Sequence, residues 1–224
     1  MEAIWGNEMV TRIMLSNIGG LDNPGIRMMI KAITENIDAE FYYHRLTVCK
    51  GYEGQKLKGS WKPYGYDVAL DMGGDTFTTY YGTFQFIRHI IHLLLMILTG
   101  QRFILFAQTY SPYGYFTGKV ARWIMRRAAL ITVRERESKD LLDSWDIPCT
   151  LTADIAFLLD TWPSEDYEGS SYHRVIGAKL ANKRAAWNGL RADNWKFKIF
   201  TRPLSMEKMK EEAYENIRLL QGLL

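Results

Sequence analysis

Residues that could handle a compact anion recur in this sequence at the ends of short apolar runs. Asn17, Gly19 and Gly20 form one such group, and Gly73, Gly74 and Asp75 form another. Gln108 with Ser111, Arg134 with Ser138, and Asp154 follow in order. Glycine at such places lets backbone N–H groups approach a phosphate or carboxylate, and a helix N-terminus adds favourable potential. An arginine adds a planar fork that grips the same groups at two points. A small polyanion is the ligand class this set suits. Each member also has a plainer reading. The glycine pairs also serve tight strand-to-helix turns, Arg134 opens a charge cluster with Glu135, Arg136 and Glu137, and Asp154 suits capping the next turn. Neither glycine pair completes a GxGxxG fingerprint, so a dinucleotide is not indicated.

These groups share an edge only if the runs before them are parallel strands. Arg12 to Leu15, Phe41 to Tyr43, Asp67 to Asp71, Arg102 to Gln108, Leu130 to Val133 and Thr150 to Ala153 all read as strands. The centre of the fourth, Phe103 to Ala107, is continuously apolar, as a sheet covered on both faces requires. Helical spacing predicts helices over Ile26 to Ile37, Phe84 to Leu98, Lys119 to Arg127 and Ser138 to Trp145. Asn23-Pro24 supplies the first with a cap and a proline entry, and Gly100 closes the second. Gly51 to Tyr66 has no period and reads as a loop or flap. The alternation predicts an α/β fold, a doubly wound Rossmann-like parallel sheet, over residues 1–160. In such sheets ligands bind outside the carboxyl ends of the strands. A shift to Pro, Ser, Gly and acids marks a linker at 161–172. Residues 173–224, with a helical pattern from Met206 to Leu220, are too few for a typical domain and read as the beginning of a truncated second one.

Composition narrows the function classes. With 47% hydrophobic and 24% charged residues the chain is globular rather than disordered. A net charge of +3 suits an anionic ligand or a membrane surface but does not argue for nucleic acid. Two distant cysteines, Cys49 and Cys149, make neither a zinc site nor a disulfide framework. His89 and His92 stand on an apolar stretch with no third ligand in reach, which favours packing over a metal. That stretch carries Arg88 as well and falls short of the roughly 20 residues a spanning helix needs. With no basic, apolar leader around Trp5, the expected location is cytoplasmic, with peripheral contact at the inner face of the membrane as an extension. Tyr80, Tyr81, Tyr110, Tyr113 and Tyr115 suit either stacking on a sugar ring or packing.

Five segments, in order, resemble the polysaccharide pyruvyl transferase family over residues 11–160. They are Asn17-Ile18-Gly19-Gly20; Asp71-Met72-Gly73-Gly74-Asp75; Gln108 followed by Tyr113-Gly114-Tyr115-Phe116; Val133-Arg134-Glu135-Arg136-Glu137-Ser138; and Asp154-Ile155-Ala156-Phe157. The resemblance implies a two-domain, GT-B-like architecture with its active site between the domains. It implies transfer of the pyruvyl unit of phosphoenolpyruvate, with no cofactor and no metal, to sugar hydroxyls of a cell-surface polysaccharide or a lipid-linked precursor. Arg134 would then bind the donor's carboxylate or phosphate. Asn17, Gly19, Gly20, Gly73, Gly74, Gln108, Ser138 and Asp154 would line its pocket, and Asp75 would orient an acceptor hydroxyl. The sequence departs from the family at Gly20, where an aspartate is expected, and at Gly114-Tyr115-Phe116, where the family has Gly-Pro-Phe. It also lacks the second-domain Arg-x-His, because its last histidine, His173, precedes Arg174. Two alternatives follow: a non-catalytic binding half that needs a partner chain or a second copy, and a sugar-nucleotide glycosyltransferase of the same architecture.

Overall fold

The computed structural model describes residues 10–18, 24–45, 57–72, 77, 83–110, 113–159 and 206–224. Strand β1 (Arg12–Ser16) leads to helix α1 (Pro24–Asn36) and strand β2 (Glu40–His44). Strands β3 (Leu57–Ser60) and β4 (Val68–Asp71) precede helix α2 (Thr83–Leu98). Strand β5 (Phe103–Gln108), helix α3 (Tyr115–Met125), strand β6 (Leu130–Val133), helix α4 (Arg136–Asp143) and strand β7 (Thr150–Leu151) continue the alternation. A short 3-10 turn at Ile155–Leu158 follows, and the last element is helix α5 (Met206–Gln221).

The seven strands form one parallel sheet in the order β3-β2-β1-β4-β5-β6-β7. Strand order therefore reverses between β1 and β4, the arrangement of a doubly wound Rossmann-like fold. Side chains alternate across the sheet as the two-residue period dictates. Ile13, Leu15, Val68, Leu70, Ile104 and Phe106 enter the core beneath α1. Met14, Ala69, Phe103, Leu105, Ile131 and Val133 enter the core beneath α2, α3 and α4.

One expectation changes here. The segment Gly51 to Tyr66 is not only a loop, because Leu57–Ser60 pairs in register with β2, Phe41 against Leu57 through His44 against Ser60. Only Leu57 of that strand is buried. An edge strand held by backbone pairing leaves little apolar pattern to read. The helix expected from Met206 is present and packs on the sheet. Ala213, Ile217 and Leu220 are buried in the same core as Ile13 and Ile155. Asn216, also buried, donates to the Ala153 carbonyl (2.8 Å) and accepts from the Thr152 hydroxyl (3.1 Å) just beyond β7. The linker and the remainder of the expected second domain, 161–205, lie outside the described residues.

Because Leu220 is fully buried, Leu220→Ala should cost about 2–5 kcal/mol of stability. Urea denaturation should show the loss in one cooperative transition. A separate, early transition for the last helix would mean that it does not share the core.

Candidate functional site

All the strands point the same way, so the chain leaves β1, β2, β4, β5 and β6 at one edge of the sheet. Asn17 follows β1 with a φ of 53°, a left-handed conformation that asparagine tolerates better than most residues. This turn brings its amide to Asp71, the last residue of β4. Asp71 is fully buried and, among the described residues, its carboxylate meets Asn17, His89 and Gln108. Asn17 Nδ2 donates to Oδ2 at 2.7 Å, His89 Nε2 lies 2.5 Å from the same oxygen, and Gln108 Nε2 donates to Oδ1 at 2.6 Å. Burial alone would raise the Asp71 carboxyl. The charge and hydrogen bond of His89, helped by His92 and Asn17, hold it below its ordinary value instead.

Gln108 reaches Asp71 because β5 bulges. Its pairing with β6 shifts between Leu105 and Gln108, and Ala107 takes a φ of 49°. The buried Ala107 N–H is satisfied sideways, by the Thr132 hydroxyl at 2.7 Å. Bulges of this kind re-aim a side chain at a strand end. Here the re-aimed side chain is Gln108, whose Nε2 also donates to the Asp71 carbonyl at 2.8 Å.

A second network continues from Gln108 through its neighbour. The Thr109 hydroxyl accepts from Arg134 Nε (2.9 Å) and donates to Glu135 (3.0 Å). Arg134 Nη1 donates to Asp154 Oδ2 at 2.7 Å, while the other oxygen of Asp154 accepts from the Ala156 N–H and caps the 3-10 turn. Glu135 is buried, and that burial raises its carboxyl despite Arg134 and the hydroxyls of Ser138 and Thr109. Ser138 donates to Glu135 and accepts from the Tyr110 N–H. Arg134 keeps 20% of its side chain exposed, against 4% for Glu135. The guanidinium and its partner Asp154, 22% exposed, are thus the charged groups of this network that reach solvent.

A stack of two histidines adjoins the Asp71 cluster. The rings of His44, at the end of β2, and His92, on α2, lie 4.7 Å apart. Burial, reinforced by the charge of His44, pushes His92 down to about 3. His92 Nε2 has no hydrogen-bond partner among the described residues. An unfolded histidine titrates near 6.5, so between pH 6.5 and 3 the unfolded chain binds a proton that the folded chain refuses. Stability should therefore be full above pH 6.5 and fall on acidification, by up to about 1.4 kcal/mol per pH unit for this one group. A His92 imidazole resonance titrating near 6.5 in the folded protein would contradict this.

The structure brings Asn17, Gln108, Arg134, Ser138 and Asp154 to one edge, and gives them different tasks. Asn17 and Gln108 serve Asp71. Ser138 is fully buried and positions Glu135 and the Tyr110 backbone. Asp154 caps the 3-10 turn and also pairs with Arg134. Gly19, Gly20, Gly73, Gly74 and Asp75, with Ser111, Tyr80 and Tyr81, lie outside the described residues. Tyr110 is buried as packing, whereas Tyr115 is exposed. Of the charge cluster, Arg136 and Glu137 are solvated while Glu135 is buried. Sequence reasoning missed His89 as the partner of Asp71, and Thr109 and Glu135 as the bridge to Arg134. The usable signal was a carboxylate closing an apolar strand, which needs a buried donor.

No curated protein matches the chain, and no solved structure does. The family model described as polysaccharide pyruvyl transferase matches residues 29–212. That span runs from α1 into α5 and includes the strands that supply Asp71, Gln108 and Arg134. With most of its length matched, this chain belongs to the polysaccharide pyruvyl transferase family.

Proposed function

We propose that the carboxyl edge of the sheet binds phosphoenolpyruvate, and that the protein transfers its pyruvyl unit to a saccharide of the cell envelope. In that reaction the methylene carbon of the donor takes a proton and becomes a methyl group. The central carbon gains bonds to two sugar oxygens and loses its bond to the phosphate oxygen. The products are a pyruvate ketal and inorganic phosphate, and the acceptor hydroxyls supply the protons. Arg134 holds the donor's carboxylate or phosphate; the family resemblance would add Gly19, Gly20, Gly73 and Gly74 to the pocket and Asp75 as the residue that orients an acceptor hydroxyl. One observation carries this reading beyond family membership: Arg134 is tied through Thr109 to the strand end that also holds Asp71. A part-exposed guanidinium on a rigid support fits a compact polyanion.

A second reading, a binding half completed by another chain, draws on a different observation. Protonating the methylene carbon needs a general acid, and His44, His89 and His92 are all buried. His173 precedes Arg174, the reverse of the order that the resemblance leads one to expect. Titration of phosphoenolpyruvate into the full chain, with phosphate release measured beside it, separates the readings. Binding with release on adding saccharide supports the enzyme; binding without release supports the half-site. No binding at all would remove both.

A further inference from the structure

Helix α2 is apolar on both sides. Phe86, His89, Leu93 and Met96 face the sheet and are buried. On the opposite side Phe84, Ile87, Ile91, Leu95 and Leu98 are exposed, Phe84 by 78% and Leu98 by 80%. At about 100° per residue these five fall within a single stripe along the helix. A helix that is hydrophobic all round is normally covered. Its neighbour α3, on the same face of the sheet, adds exposed Tyr115, Phe116 and Trp123. Lys119 sits 4.2 Å from the Tyr115 ring centroid and the Arg127 guanidinium 3.6 Å from that of Trp123.

Charge on this face has one sign. Neither α2 nor α3 contains an aspartate or glutamate, whereas Arg88, Lys119, Arg126 and Arg127 are exposed on or beside them. Acids stand on α4, where Glu137, Asp140 and Asp143 are exposed and Asp143 pairs with Lys139. We infer that the outer faces of α2 and α3 dock the protein on an anionic lipid surface, with the aliphatic stripe and aromatic rings entering the headgroup boundary and the cations meeting lipid phosphates. Apolar side chains flanked by snorkelling cations are what an interfacial helix presents. A second copy of the chain fits less well. A two-fold interface through this face would set like cations against each other with no acid on either helix to answer them. Among the described residues no helix is long and apolar enough to cross a membrane, so the contact is peripheral.

The orientation is informative as well. Phe84, Tyr115 and Phe116 stand in the first turns of their helices, which face the same sheet edge as Asp71 and Gln108. Docking there brings that edge to the headgroup layer, within reach of a saccharide carried on lipid. The docking itself does not depend on pyruvyl transfer, and its test uses no activity.

The full chain should co-sediment with phosphatidylcholine vesicles containing phosphatidylglycerol, weakly or not at all with phosphatidylcholine alone, and less as salt rises. Lys119→Glu with Arg127→Glu should lower partitioning about tenfold or more, and Ile87→Ser should lower it as well. Melting temperatures should hold because these side chains are exposed. Three results would overturn the inference. The first is no co-sedimentation of the unaltered chain with the anionic vesicles. The second is unchanged partitioning in both folded variants. The third is a dimer dissolved by Ile91→Glu, without vesicle binding, which would assign the face to self-association.

Discussion

Asp71→Ala is expected to cost the fold about 3–5 kcal/mol, one of the two largest effects anticipated for this protein. Asn17, His89 and Gln108 all direct donors at that carboxylate inside the protein. Removing the acceptor leaves those donors buried without it, and a stranded buried polar group costs more than its hydrogen bond contributes. The acid limb offers a second readout. Because the folded carboxyl lies below its ordinary value of 3.8, its contribution is complete above that pH and disappears as the pH falls below it. Asp71→Asn should therefore lose less stability than the parent on acidification through that range, as measured by urea denaturation. Equal loss in both proteins would mean that Asp71 is not held ionised by its partners.

The second large effect concerns ligand rather than fold. If phosphoenolpyruvate binds as proposed, Arg134→Ala should weaken it by about 2–4 kcal/mol, roughly 30- to 1,000-fold in Kd. Arg134→Lys should recover little of this, because a point charge cannot grip Thr109, Asp154 and a donor oxyanion at once. Calorimetric titration checks both variants, with circular dichroism to show that each is folded. The pairing of Arg134 with Asp154 at 2.7 Å has a consequence for the same experiment. A donor bound as proposed would have to join or displace that carboxylate, which would make Asp154 part of the tuning of the site as well as a cap. Unchanged affinity in a folded Arg134→Ala protein would take the guanidinium out of the site.

The residues behind these expectations differ in how plainly their roles show in the linear chain. Arg134 and Asp154 are legible because Arg134 directly follows an apolar strand and both belong to an ordered set of motifs. The parallel sheet is legible because Phe103 to Ala107 is apolar without a break and turn residues punctuate the chain at regular intervals. β3 is not legible, since Leu-Lys-Gly-Ser owes its strand to the backbone of β2 rather than to its own side chains. His89 looks like any packed histidine on an apolar helix. Its role appears only when α2 lies across the end of β4 and an imidazole meets a buried carboxylate. The exposed stripe on α2 is hidden for a related reason. The periodic pattern of Phe84 to Leu98 says that the helix is apolar, but not that only one of its two apolar faces has a sheet to cover it.

What the order of residues determined alone is therefore the class of the fold, the family, and the sheet edge at which Asn17, Gln108, Arg134 and Asp154 stand. Those depend on local periodicity and on short motifs, which neighbouring residues spell out directly. Tertiary structure decided the rest: Asp71 with Asn17, His89 and Gln108, the Thr109 bridge to Arg134, the placement of α5 on the first core, and the exposed apolar side chains of α2 and α3. Each of these joins segments many residues apart, and burial and hydrogen bonding between distant segments exist only once the sheet has assembled.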